Sequence, residues 1–146
     1  MNVRRWMKHP VVSVKPLDSI EHARHLLESH RLNQLPVVVD GRIVGIVTDR
    51  DLRDAFPSVF DTRPSRHRRS AKSVVDTDPR SVSVEMVMTT NVTLVSPDDS
   101  MARAARLMRE HRIGALPVVE RQHLVGIVTR SDVLDAFVDL FRVEGR

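Results

Sequence analysis

"LPVVVDGRIVGIVTDRDLRDAF", Leu35 to Phe56, is written a second time as "LPVVERQHLVGIVTRSDVLDAF", Leu116 to Phe137. Leu116, Gly126 and Phe137 each stand 81 residues after Leu35, Gly45 and Phe56. Extended upstream, Met7–Phe56 aligns with Met88–Phe137 without a gap, and 23 of 50 positions are identical. A constant offset over that length marks an internal duplication. Within the quoted stretch, the runs "VVV" and "IVGIV" flank Asp40-Gly41, a pair that predicts a type I′ hairpin turn. Copy two has Arg121-Gln122 there, which predicts a looser turn or one of another type. Both runs are apolar on both faces, as expected of strands covered by helices.

Working outward, each copy opens on a short predicted strand, Val11–Val14 or Val92–Val95, followed by a turn at Pro16 or Pro97. Ser19 and Ser100 occupy N-cap positions. Ile20, Ala23, Leu26 and Leu27 then follow at helical spacing, as do Met101, Ala104, Leu107 and Met108. His30-Arg31 and His111-Arg112 end these helices. After the hairpin a second helix begins near Asp51 or Asp132. Phe56 and Phe60 lie at i, i+4, and Phe137 and Phe141 repeat the pair. These four read as core residues, with a module–module interface as the alternative. Pro57 stops the first of these helices early, whereas "VDLF" lets the second run on.

Each copy is therefore β-α-β-β-α and about 50 residues long, too small to bury a sufficient core by itself. The expected fold is α+β, two such repeats packed pseudo-symmetrically through their sheets. The expected division is a first repeat over 1–60, a basic, partly flexible linker over 61–82, and a second repeat over 83–146.

The 146 residues are 41% apolar and include no cysteine. That excludes disulfides, thiolate metal sites and cysteine nucleophiles. "MNVRRWMKHP" contains no apolar h-region and no run reaches the roughly 18 residues of a membrane span, so a cytoplasmic protein without membrane contact is expected. The net charge of +4 is concentrated in Thr62–Lys72, which carries Arg63, Arg66, Arg68, Arg69 and Lys72. This stretch reads first as a solvated connector, second as a closure over phosphate, and last as a nucleic-acid contact, because no aromatic residue interleaves it. His22 and His25 lack a third ligand, so no metal site is expected. Trp6 reads as a packing residue beside the first strand. No nucleophile elbow, P-loop, Gly-rich dinucleotide loop or H-E-x-x-H motif is present, and no catalytic residue is assigned.

The repeated "LPVV…GIVT..D" unit resembles a tandem pair of CBS domains, a Bateman module, and is similar to small stand-alone bacterial proteins of that kind. The resemblance implies a non-catalytic regulatory module. Such a module needs no cofactor. It holds an adenosyl ligand (AMP, ADP, ATP, S-adenosylmethionine or NAD(H)) between the repeats and transmits occupancy as a change of shape or packing. It also implies a homodimer and a separate effector protein. The alternative is a ligand-free scaffold for dimerisation or partner binding.

In that family the motif Gly, two apolar residues, Ser/Thr, two variable residues, Asp touches the ligand. It occurs here as Gly45–Thr48 with Asp51 and as Gly126–Thr129 with Asp132. A carboxylate can accept two hydrogen bonds from a ribose diol, and a Thr hydroxyl beside free helix N–H groups suits a phosphate or ribose oxygen. Capping is the other reading of the same residues: Thr48 and Thr129 as N-caps, Asp51 and Asp132 in a favourable first turn. The resemblance places the base against Val11, Val12, Val92 and Thr93 and near the entry to "LPVV", at Asn33-Gln34 and Gly114-Ala115. The family often has basic residues at that entry, and this chain has none. Arg31, Arg50, Arg112 and Arg130 are the candidates for phosphate contact, with Arg31 and Arg112 equally suited to complementing a helix C-terminus.

Overall fold

The computed structural model describes residues 1–55 and 78–144. The Phe56/Phe60 pair, the Pro57 stop and the basic stretch Arg63–Lys72 lie outside the described residues. In chain order the elements are α1 (Val3–Trp6), α2 (Ile20–His30), β1 (Gln34–Val39), β2 (Arg42–Thr48) and α3 (Asp49–Ala55). A single 3-10 turn (Val84–Met86) follows, then α4 (Met101–His111), β3 (Ala115–Glu120), β4 (His123–Thr129) and α5 (Arg130–Glu144). The β1–β2 and β3–β4 hairpins form two separate two-stranded sheets.

Local chemistry sets most helix boundaries. The Ser19 hydroxyl accepts from the His22 N–H at 3.1 Å and the Ser100 hydroxyl from the Arg103 N–H at 3.0 Å. Each bond satisfies one of the four N–H groups that a helix start leaves open. Arg31 and Arg112 close the same helices in the left-handed conformation, both with φ of 54°. The expected apolar stripes face inward, with Ile20, Ala23 and Leu27 buried on α2 and Met101, Ala104 and Met108 on α4.

The predicted opening strands shrink to one residue each. Val14 bridges Val37 and Val95 bridges Val118, both in parallel. The Val14 N–H donates to the Pro36 carbonyl at 3.0 Å and the Val38 N–H to the Val14 carbonyl at 2.8 Å. Lengthening this ladder would need the N–H of residue 16 on one side and of residue 36 on the other. Both are proline and have none. Pro97 and Pro117 impose the same stop on copy two.

The second hairpin also differs from expectation. Asp40 and Gly41 have φ of 50° and 79°, and Arg121 and Gln122 have φ of 50° and 69°. Both turns therefore place two successive residues at positive φ, the type I′ signature, despite the missing glycine. The right-handed twist of the paired strands selects that turn over the residues' own preference. Holding an L-residue such as Gln122 in this region costs about 1 kcal/mol. Gln122→Gly is expected to raise stability by about 1 kcal/mol, measured as a higher urea midpoint with unchanged m; an unchanged or lower midpoint contradicts the assignment.

The chain divides into two compact units. One comprises Met1–Val11, Asp40–Ile43 and Asn91–Arg146; the other comprises Val12–Val39 and Val44–Thr90. The segment preceding each copy thus belongs to the unit of the other copy. In the unit of copy two, the Val3 N–H donates to the Asp99 carbonyl at 2.8 Å, and Val3 is fully buried among Val95, Met101, Leu116 and Val128. In the unit of copy one, the Val84 N–H donates to the Asp18 carbonyl at 2.8 Å, and Val84 is fully buried with Ile20, Leu35, Val47 and Leu52. Each of these valines contributes roughly 1.5–2 kcal/mol by burial. Trp6 packs partly buried in the core of copy two, with the Arg5 guanidinium 5.4 Å from its ring centroid.

Phe137 and Phe141 correct the core expectation. They are 58% and 55% exposed and meet edge to face at 4.8 Å between ring centroids. The buried stripe of α5 instead runs through Asp132 and Ala136. Among the described residues no helix is long and apolar enough to cross a membrane.

Candidate functional site

The two Thr-x-x-Asp motifs sit where a strand hands over to a helix, β2 to α3 and β4 to α5. At the first, the Thr48 N–H donates to Asp51 Oδ2 at 2.9 Å and the Asp51 N–H donates to Thr48 Oγ1 at 3.0 Å. At the second, the Thr129 N–H donates to Asp132 Oδ2 at 2.7 Å and the Thr129 hydroxyl to the same oxygen at 3.0 Å. The Asp132 N–H reaches Thr129 Oγ1 at 3.5 Å, the limit of a bond. The capping reading is therefore realised in both copies. An ionised carboxylate has about four acceptor positions, and capping uses one oxygen, so each Asp keeps Oδ1 outside its cap.

The segments named for the entry to "LPVV" lie beside these helix starts. The Asp49 N–H donates to the Asn33 carbonyl at 2.9 Å and the Arg130 N–H to the Gly114 carbonyl at 3.1 Å. Gln34 and Ala115 begin β1 and β3, and Ala115 pairs directly with Thr129. A methyl group added to Gly114 would lie 3.7 Å from the Arg130 guanidinium carbon. Thr129, Asp132, Gly114, Ala115 and Arg130 thus converge in one unit; Thr48, Asp51, Asn33 and Gln34 converge in the other.

The remaining candidates are less gathered. Val11 and Val12 fall in different units, and Val12 packs on the core of copy one. Val92 and Thr93 are half-buried. Arg50, 85% exposed, turns along its own helix to Asp54 at 3.9 Å. The Arg31 backbone caps α2, and its side chain is exposed.

Lys8 escaped the sequence reading. Its Nζ lies 3.5 Å from Asp132 Oδ1, while Asp132 itself is 4% exposed. Lys8 is carried there by an antiparallel bridge to Ile127, with bonds of 2.8 and 3.0 Å in the two directions. The position 81 residues on is Thr89, which bridges Ile46 in the same way. The two sites therefore differ by one positive charge. Nothing local signals a pairing between residues 8 and 132.

The crossing segments also account for the glycine of the motif. A Cβ built on Gly45 would lie 2.6 Å from the Met88 sulfur and 3.0 Å from the Thr89 carbonyl oxygen. One built on Gly126 would lie 2.7 Å from the Met7 sulfur and 3.2 Å from the Lys8 carbonyl oxygen. Among the described residues no three His, Cys, Asp or Glu side chains are grouped to hold a metal ion.

The family model for the CBS domain matches this chain twice, over residues 3–58 and 81–139. An uncharacterised protein of Methanocaldococcus jannaschii is 35% identical over 140 residues; the match covers 94% of this chain but 32% of the relative, so the chain spans about a third of that protein. The crystal structure of CBSX2 in complex with AMP is similar at 29% identity and a TM-score of 0.77, covering 95% of this chain and 97% of that one. The CBS domain pair of protein MJ0100, in complex with 5-methylthioadenosine and S-adenosyl-L-methionine, is similar at 26% identity and a TM-score of 0.74, covering 95% and 97%.

Proposed function

We propose that this chain, which belongs to the CBS domain family, is a regulatory module without chemistry of its own that binds an adenosyl compound at its Thr–Asp helix starts. The observation that carries the reading is the paired cap at each motif: the carboxylate is held in place by Oδ2, while Oδ1 stays outside the cap, facing the Lys8 ammonium at 3.5 Å in the case of Asp132. A ribose diol needs an acceptor of this kind, fixed before the ligand arrives. Structures of related CBS pairs with AMP, and with 5-methylthioadenosine and S-adenosyl-L-methionine, support an adenosyl ligand. In this reading Gly114-Ala115 and Asn33-Gln34 border the base with uncharged backbone. Lys8 supplies the positive charge that those entry segments lack, so a phosphorylated ligand favours Asp132 and a neutral or cationic one favours Asp51.

Occupancy acts by differential affinity for two packings of the chain. The output passes to a separate effector or through self-association as a homodimer. A ligand-free scaffold is the second reading, favoured by the exposed stripe of Leu134, Phe137, Val138 and Phe141 on α5.

Thermal melting with AMP, ADP, ATP, S-adenosylmethionine, 5-methylthioadenosine and NAD(H) separates the two. One of them, at 100 times its dissociation constant, is expected to add about 2.7 kcal/mol, a rise of roughly 5–10 °C. If all six leave the curve unmoved at millimolar concentration, the scaffold reading takes the place of the sensor.

A further inference from the structure

A cavity of about 410 Å³ opens between α4 and α5, wholly within the unit of copy two. Its walls are apolar, made by Ala105, Met108, Val133 and Leu134. Three arginines, Arg109, Arg112 and Arg130, complete the lining. Among the described residues none of the three pairs with a carboxylate, whereas Arg103, on the same helix as Arg109, pairs with Asp99 at 3.6 Å. Cations that border one groove without a carboxylate partner attract an arriving anion.

The duplication supplies its own control. At the positions 81 residues earlier, Ala105 is replaced by Arg24, Arg109 by Glu28, Arg130 by Asp49 and Leu134 by Arg53. There the charges satisfy one another: Arg24 pairs with Glu28 at 3.0 Å and Arg53 with Asp49 at 3.0 Å. Arg24 also pairs with Glu21, and its donated hydrogen bond holds that carboxyl below the usual carboxylate range. Copy one thus fills the corresponding face with long side chains and neutralises it. Copy two removes every one of those acids, shortens Arg24 to alanine and leaves the cations open.

We propose that this groove is a second binding site, for a small organic anion that carries an apolar body. Its volume lies in the range of small-molecule pockets, roughly 300–1,000 Å³. Its chemistry divides accordingly: alanine, methionine, valine and leucine take the body, and guanidiniums take a carboxylate, sulfonate or phosphate. The groove and the Thr129–Asp132 cap share the start of α5: Arg130, Val133 and Leu134 line the groove, and Asp132, between them in sequence, is buried. Arg112 and Arg130 are also phosphate candidates of the adenosyl reading, so competition by AMP tells the two sites apart.

The test is fluorescence titration of the full chain with 8-anilinonaphthalene-1-sulfonate, an aromatic body bearing one anionic group. Bound probe should be displaced by phenyl phosphate and far less by inorganic phosphate or benzyl alcohol. Ala105→Arg with Arg109→Glu, which transplants the pair of copy one, is expected to weaken the probe at least tenfold. Arg112→Ala with Arg130→Ala, at exposed positions, should do the same and stands in if the first variant does not melt cooperatively. Phe137→Ser with Phe141→Ser should keep the probe's affinity, as should Asp132→Asn. Probe affinity within twofold of wild type in both arginine variants overturns the proposal. So does loss with the phenylalanine pair, which moves the probe to the exposed stripe. Competition by AMP that disappears in Asp132→Asn, or an arginine variant that changes the sedimenting mass, overturns it equally, giving the groove to the first ligand or to a second copy.

Discussion

Gly45→Val is expected to cost about 3 kcal/mol of stability, near the upper end of what overpacking usually costs. The first added carbon already lies 3.0 Å from the Thr89 carbonyl oxygen, and that oxygen accepts the Ile46 N–H at 2.9 Å. The Met88 side chain can swing aside, but the backbone of Thr89 cannot retreat without breaking the bridge it makes. Alanine at the same position should cost less, about 1 kcal/mol, because one methyl group displaces chiefly a flexible thioether. Gly126→Val should fall below Gly45→Val, since its backbone neighbour, the Lys8 carbonyl, stands at 3.2 Å. Urea melts of the three variants give the order. If Gly45→Val melts with the wild type, Met88 and Thr89 do not cross β2 as described.

This glycine marks the boundary of what the sequence discloses. It reads there as the first letter of a ligand motif, whereas its contacts are with Met88 and Thr89, or with Met7 and Lys8. Those neighbours come from the segment that precedes the opposite copy, and no periodicity within one copy points to it. Features closed by bonds of three or four residues were readable: the Ser19 and Ser100 caps, the ends of α2 and α4, the Asp40-Gly41 turn. Features closed over distance were not. The strand at Val11–Val14 was too long because its ladder also needs an N–H from Pro36, on another element. At Arg121-Gln122 the residues suggested a looser turn, but strand twist decided the backbone. On α5, spacing alone could not choose between two apolar stripes, one through Val133 and Ala136, the other through Leu134, Phe137 and Phe141. Packing buries the first and leaves Phe137 and Phe141 exposed.

Asp132→Ala and Asp132→Asn together separate capping from binding. Alanine strips the acceptor from the Thr129 N–H and hydroxyl and takes the partner from Lys8, whose exposed ammonium stays in water. A loss of about 2 kcal/mol is expected, the upper end for a lost cap, because the Asp132 carboxylate is buried and accepts from two groups. Asp51→Ala removes only a half-buried cap and should cost about 1 kcal/mol. Asparagine at 132 can still accept from the Thr129 N–H through its amide oxygen, so most of the stability returns. It cannot accept two hydroxyl hydrogens through equivalent oxygens, nor can it balance Lys8. An adenosyl ligand held there by its ribose should therefore bind Asp132→Asn at least tenfold more weakly, about 1.4 kcal/mol, in a protein that melts close to the wild type. Lys8→Ala should weaken AMP more than the uncharged 5-methylthioadenosine, because only the former carries phosphate for the ammonium to meet. Calorimetric titration reads both comparisons. An Asp132→Asn variant that binds AMP as tightly as the wild type would reduce this residue to a helix cap, and the ligand would have to be sought at Asp51, where no lysine stands opposite the carboxylate.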